Sequence, residues 1–185
     1  EDPRTWSLQS LRRRGIQPEA IRDFILDFGI SMTDIEVPAS KLYAKNREII
    51  DSRANRYFFV ENPVKIVLEG NINMAQVKIP RHPDFSERGN RELVVKDKVF
   101  IPKVEWEKHQ GEEIRLKNFC NIELNDKTGK VIDFAPKNIQ KIEWLCEGID
   151  GKIKMTDGSF SHGLVESNIR ETKVEDIIQF ERFGF

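Results

Sequence analysis

The stretch Asp51-Ser-Arg-Ala-Asn-Arg-Tyr-Phe-Phe-Val-Glu-Asn-Pro-Val-Lys-Ile-Val-Leu-Glu-Gly70 marks the point at which the chain changes character. Before it, apolar residues recur at helical spacing. After it, short β-branched and aromatic runs alternate with Gly, Pro, Asn and Asp. Tyr57-Phe58-Phe59-Val60 and Val64-Lys65-Ile66-Val67-Leu68 read as the first two strands. Asn62-Pro63 separates them, because proline offers a ladder no N–H. Arg53 and Arg56 place cations where the first strand begins. A helical module thus hands the chain to a β module, and the switch near residue 55 divides the 185 residues into 1–55 and 56–185.

Upstream, Ser7 to Gly15 reads as a short helix with Ser7 or Thr5 as N-cap and Gly15 at its end. Arg12, Arg13 and Arg14 fall in its last turn. There they either complement the negative end of the helix dipole or meet phosphate, and the sequence leaves both open. Pro18 opens a second helix to Phe28, closed by Gly29, with Ile21, Phe24, Ile25 and Phe28 on one stripe that should face the core. A third helix runs from Pro38 to about Ala54. Leu42, Ile49 and Ile50 face its core side, and Lys41, Lys45 and Arg47 are available to solvent or an anionic partner.

Downstream, further strands are expected over Met74–Ile79, Glu92–Ile101, Glu113–Leu124, Lys130–Phe134, Ile139–Leu145, Lys152–Met155, Phe160–Glu166 and Ile177–Phe183. Asn125 to Gly129, Asp150-Gly151 and Asp157-Gly158 carry hairpin-turn chemistry. Val104 to His109 has room for one helical turn. Short strands at near-regular spacing argue for antiparallel β-barrels. The fold is therefore expected to be mainly β, antiparallel barrels following an N-terminal helical segment.

Composition narrows the function classes. Hydrophobic residues make up 38% and charged residues 33%, with 12 Phe and 3 Trp to build a core, so the chain is globular rather than disordered. With 30 basic and 31 acidic side chains the net charge is −1, and any nucleic-acid site must come from local clustering. Cys120 and Cys146 lie inside strand-like runs as reduced core residues, which suits the cytoplasm. No apolar run reaches ~18 residues, so a membrane partner is not expected.

Catalytic constellations are thin. His82, His109 and His162 have no metal-ligand spacing, and neither a glycine-rich phosphate loop nor a G-x-S-x-G or H-E-x-x-H motif is present. Lys154-Met155-Thr156-Asp157-Gly158 reads as a strand entering a turn. A small hydrolase using His82 or His162 with a carboxylate is the reading these residues support least. Arg56, Arg115, Lys117 and Arg182 instead sit on apolar strands beside Tyr57, Phe119, Phe180 and Phe183, with Asn118 and Gln179 nearby. Alternation sets Arg115 and Lys117 on one outer face, with Ile114 and Leu116 toward the core. Cations, amides and aromatics on a barrel face match how unpaired RNA bases are read. A free-standing RNA-binding module is one form such a chain can take.

An ordered set of motifs adds a resemblance. Asp2-Pro3-Arg4, Leu11-Arg12-Arg13-Arg14-Gly15, Asn55-Arg56 and Asn62-Pro63-Val64-Lys65 come first. Ile79-Pro80-Arg81-His82-Pro83, Glu87-Arg88-Gly89-Asn90-Arg91, Ile114-Arg115-Leu116-Lys117-Asn118 and Gln179-Phe180-Glu181-Arg182-Phe183-Gly184 come after them. Together they resemble the C-terminal part of an archaeal-type glutamyl-tRNA synthetase, in the class I group that includes the glutaminyl enzymes, and Tyr57-Phe58-Phe59-Val60 is similar to the glutamyl branch. The likeness covers the whole chain.

The resemblance implies a helical connecting domain followed by two anticodon-binding barrels, the distal one over roughly 111–165, similar in fold to a ribosomal protein that binds 5S RNA. It implies that the chain starts just beyond the active site, since the H-I-G-H and K-M-S-K-S signatures are not present. The parent would join glutamate to tRNA with ATP and Mg²⁺, while this chain would need no cofactor and be inactive alone. Its partner would be tRNA(Glu), with tRNA(Gln) left open, and the protein a cytoplasmic monomer. Anticodon contacts would fall on Arg56, Arg115, Lys117, Gln179 and Arg182; apart from the resemblance, the local basic clusters Arg12, Arg13, Arg14, Lys41 and Lys45 are expected at the tRNA backbone. Lys117 stands where the glutaminyl branch has arginine, and lysine cannot form the bidentate fork. The segment before Gly111 is shorter than in that branch, with Lys108 a poor substitute for its basic pair.

Overall fold

The computed structural model describes residues 2–29, 36–70, 72 and 75–185. Three helices come first: α1 (Leu8–Arg13), α2 (Pro18–Leu26) and α3 (Ala39–Asp51). Ser7 caps α1, its hydroxyl accepting from the Ser10 N–H at 3.1 Å. Pro18 opens α2, where a missing N–H costs nothing. Buried Asn46 of α3 ties the module together. Its Oδ1 accepts from the Gln17 N–H (2.8 Å), and its Nδ2 donates to the Gly15 carbonyl (3.2 Å). Leu11, Ile16, Ala20 and Leu42 form the small core, with Ile21, Phe24 and Ile49 against it. The expected stripe on α2 is only partly covered: Ile25 is 60% exposed, because the packed face turns toward Ala20 and Ile21.

Thirteen strands come next among the described residues: β1 (Asn55–Tyr57), β2 (Phe59–Glu61), β3 (Pro63–Glu69), β4 (Ala75–Pro80), β5 (Asn90–Val95), β6 (Lys98–Pro102), β7 (Glu113–Leu116), β8 (Asn121–Asn125), β9 (Thr128–Asp133), β10 (Lys141–Ile142), β11 (Ile149–Lys154), β12 (Phe160–Val165) and β13 (Ile178–Phe180). A short helix, α4 (Lys103–Lys108), links β6 to β7. The expected start of β4 at Met74 lies outside the described residues. Strands β10-β7-β8-β9-β3-β6 form one sheet. An antiparallel bridge between Phe100 and Leu145 brings its two edges together, nearly closing a barrel. Ile66, Val99, Ile101, Ile114, Leu116, Ile122, Leu124, Ile142 and Trp144 are buried in the core. Strands β11-β12-β2 form a second sheet, and β4-β5 and β1-β13 form two ribbons. Pairing is not wholly antiparallel: β1/β13, β10/β7 and β3/β9 run parallel. Their partners are separated by intervening strands that supply the long crossover a parallel pair needs.

Four local expectations change. Tyr57–Val60 is broken at Phe58, so that β1 joins β13 while β2 joins β12. Glu92–Ile101 is broken at Lys96-Asp97, so that β5 joins β4 while β6 joins β3. Glu113–Leu124 is a hairpin, not one strand, turning through Asn118 at φ 58°. Asp150-Gly151 lies within β11, opposite Leu164 and Gly163, rather than in a turn. Gly151 is required there because a Cβ would collide with the Val165 side chain. Asp157-Gly158 does form the β11–β12 turn, with Gly158 at φ +87°. Both cysteines are buried and free, and burial pushes the Cys120 thiol up to about 12.

Candidate nucleic-acid interface

The first strand after the helices and the last strand of the chain lie side by side. Parallel pairing of β1 with β13 sets Arg56 directly opposite Gln179 and Tyr57 opposite Phe180. One Arg56 amino group meets the Asp51 carboxylate at 3.2 Å. Its Nε and the Gln179 Oε1 are buried without a partner, so a donor and an acceptor stand unused on adjacent strands.

β13 ends at Phe180, and the chain then turns back on itself. Gly184 donates to the Phe180 carbonyl (3.0 Å), and Arg182 sits in the left-handed region at φ 60°. Gln179 and Arg182, three residues apart, would face opposite ways on a continuous strand. The turn removes that conflict. It delivers Arg182 to the edge of the barrel, where its guanidinium donates to the Lys141 carbonyl and to Glu105 Oε1 on α4 (3.4 Å) and lies 3.7 Å from Glu143 Oε2.

Lys117 occupies the β7–β8 turn rather than the face of a strand. Its N–H donates to the Ile142 carbonyl (3.0 Å), its carbonyl accepts from the Trp144 indole (2.9 Å), and its ammonium pairs with Glu181. Arg115, expected beside it on an outer face, is 8% exposed. It donates to Asn121 Oδ1 (2.8 Å) and the Ala135 carbonyl (2.9 Å), holding the 133–137 loop against the hairpin. Arg115 turns inward because its strand ends at Leu116 and Asn121 offers an acceptor across the hairpin.

A buried ionic network unread in the sequence supports this edge. Arg91 of β5, fully buried, donates to Glu166 Oε2 (2.9 Å), Glu181 Oε1 (2.9 Å) and the Pro80 carbonyl (2.8 Å). Glu166 also accepts from the Phe58 N–H (3.1 Å) and from Asn168 (2.8 Å). Burial pushes the Glu181 carboxyl up, but Lys117 and Arg91 outweigh it and hold the group below the ordinary carboxylate range. Glu143 was missed too. Burial pushes its carboxyl up to about 7, against the pull of its own amide, Arg182 and Lys117, and Oε1 is buried with no partner. A glutamate between Ile142 and Trp144 in the expected strand Ile139–Leu145 is the signal available for it.

The cations expected at an RNA backbone are placed less uniformly. Arg14 stacks on Trp6, 4.8 Å to the ring centroid, and donates to Tyr43 Oη (3.2 Å). Lys45 pairs with Asp27 at 2.7 Å, and Lys41 sits 5.5 Å from the centroid of Phe28. Arg12 and Arg13 are exposed on the last turn of α1. Among the described residues Asp51, His82 and Asp84 form a carboxylate–histidine cluster. His82 Nδ1 accepts from the Asp84 N–H (3.1 Å) and Nε2 donates to the Asp51 carbonyl (3.1 Å), leaving no ring lone pair for a metal or a proton relay. His82 is thus a joint between α3 and the β4–β5 loop.

Models of the class I (E and Q) tRNA synthetase anti-codon binding domain match residues 54–138 and 123–185. The chain belongs to this family. Among curated proteins, the glutamate–tRNA ligase of Methanosarcina mazei is 38% identical over 195 residues, and that of Archaeoglobus fulgidus 39% over 189. Each alignment takes in 100% of this chain and 34% of the relative. The glutamate–tRNA ligase of Thermococcus kodakarensis is 38% identical over 201 residues, covering 100% of this chain and 35% of its own length. The chain therefore spans about a third of the length of these relatives and corresponds to their anticodon-binding part.

Proposed function

We propose that this chain selects and orients tRNA for a glutamate–tRNA ligase, reading the anticodon loop where β1, β13, the β7–β8 turn and the C-terminal turn meet. The register of Arg56 with Gln179, continued through the left-handed turn to Arg182, carries this reading. Guanidinium and amide groups offer donors and acceptors in fixed planes, as unpaired base edges require. Lys117 is held by Glu181 on the same edge, and Arg115 acts from beneath it by fixing the hairpin. Arg12, Arg13, Arg14, Lys41 and Lys45 meet the tRNA backbone. The cognate RNA is tRNA(Glu), in a cytoplasmic, monomeric parent.

ATP and Mg²⁺ belong to the parent reaction, which joins glutamate to the tRNA end. The donor set here does not fit them: in the Asp51–His82–Asp84 cluster both ring nitrogens of His82 are taken up by backbone groups, so no chemical step is assigned to this chain. The test is a binding series of Arg56→Ala, Gln179→Ala and Arg182→Ala against cognate and anticodon-swapped tRNA. Arg182→Ala should lose about 1–3 kcal/mol on the cognate anticodon and relax discrimination at one position. Equal losses on both RNAs would leave electrostatic docking without base reading.

A further inference from the structure

Glu143 stands out because a buried acceptor normally has a donor, and the few that lack one call for a reason. Its residue is 5% exposed and its Oε1 has no partner. Its neighbours Ile142 and Trp144 are both bonded to the Lys117 backbone, at 3.0 and 2.9 Å, so the backbone carrying Glu143 is fixed. Beside the carboxylate lies the Arg182 guanidinium, 3.7 Å away and 44% exposed, so that this cation reaches solvent where the carboxylate does not. The pair presents a deep acceptor next to a shallow donor.

That arrangement has a chemical complement. Uracil carries a ring N–H directly beside a carbonyl oxygen, whereas cytosine carries a ring nitrogen lone pair beside an amino group. An N–H placed against Oε1 would satisfy the acceptor while the adjacent carbonyl took a guanidinium N–H. A ring lone pair in the same place would face the carboxylate and be repelled.

We propose that Glu143 is a specificity-determining residue that accepts the ring N–H of an anticodon uracil, with Arg182 donating to the adjacent carbonyl. This rests on the anticodon-reading function above and adds to it the acceptor and the class of base. Proton linkage comes from the same geometry. The charged groups facing Glu143 are Arg182 and Glu181 on the C-terminal turn and Lys117 on the hairpin; Glu105 on α4, itself 3.1 Å from His109, faces it across Arg182. A bound N–H favours the ionised carboxylate, whose free-state value is about 7. Affinity should therefore rise between pH 6 and pH 8 and level off above.

The experiment measures binding of the chain to anticodon stem-loop hairpins of the glutamate type. Each anticodon uracil is replaced in turn by cytosine or by N3-methyluridine, which removes the ring N–H. One replacement should weaken wild-type binding about tenfold. In Glu143→Gln, whose amide can donate as well as accept, that uracil preference should fall to near unity and the rise with pH should flatten. Retention of both by Glu143→Gln would overturn the role of Glu143 while leaving base reading intact. Indifference of the wild type to every replacement would overturn the anticodon-reading function, and the Glu143 role with it. The N3-methyluridine arm needs no protein variant, so it stands even where Glu143→Gln folds poorly.

Discussion

At the scale of single residues, Glu143 ties stability to pH in a direction opposite to that of a salt-bridged carboxylate. Its carboxyl is raised from 4.5 to about 7 by burial, so the folded chain binds this proton more tightly than the unfolded chain does. Its contribution is therefore fully favourable below about pH 4.5 and is lost as pH rises toward 7, a swing on the order of 3 kcal/mol at most. Glu143→Gln removes the ionisable group but keeps its shape, and Arg182 retains the Lys141 carbonyl and Glu105 as acceptors. Urea unfolding should find the variant more stable than wild type at pH 8 and about equal to it near pH 4.5. A variant weaker at pH 8 would mean that the Arg182–Glu143 attraction exceeds the desolvation of the carboxylate.

At the scale of elements, short β13 is held by the turn at its C-terminal end as well as by its own ladder: Glu181 reaches back to Arg91, which reaches on to Glu166 beside Phe58. Removing one member of a buried ionic set strands the others. Arg91→Met should destabilise by roughly 3–5 kcal/mol, because it leaves buried Glu166 with no counter-charge and Glu181 with Lys117 alone, and adding Glu166→Gln should recover part of that. Lys78→Met breaks the exposed 3.7 Å pair with Glu92 and should change stability by less than about 1 kcal/mol. Chemical denaturation at pH 7 separates the cases, and equal losses would refute the ionic account. The same contrast shows what could be read in advance. Ser7, Pro18 and the turns at Asn125 to Gly129 and Asp157-Gly158 act on the few residues next to them in the chain, so their roles were legible. The break at Lys96-Asp97 was not, because no Gly or Pro marks it; the chain bends where the Asp97 carbonyl accepts from Leu68 N–H (2.8 Å). Arg115 gave no sign of burial, since its acceptors on Asn121 and Ala135 become neighbours only once the hairpin closes.

At the scale of the whole molecule, the pairing of β1 with β13 joins segments far apart in sequence, and no local pattern announces it. It was foreseeable only as a requirement, since cations so distant in sequence can share one ligand only if the first and last strands meet. With a net charge of −1 the molecule has no global field to draw RNA in, so the proposed phosphate binding rests on local groups, which differ in how they are held. Arg12 is exposed at the end of α1, while the Lys45 ammonium is 2.7 Å from Asp27, a counter-charge that phosphate would have to displace. Binding to tRNA should weaken steeply with salt, with a log–log slope of several units from the counterions released. Arg12→Gln should flatten that slope by roughly one unit. Lys45→Gln should flatten it less, because Asp27 already neutralises the ammonium before RNA arrives. Titrating the two variants and wild type from low to physiological salt tests the order. A larger change for Lys45 would place the RNA backbone along α3 instead of the end of α1, and a flat wild-type plot would reduce all these cations to solvated surface.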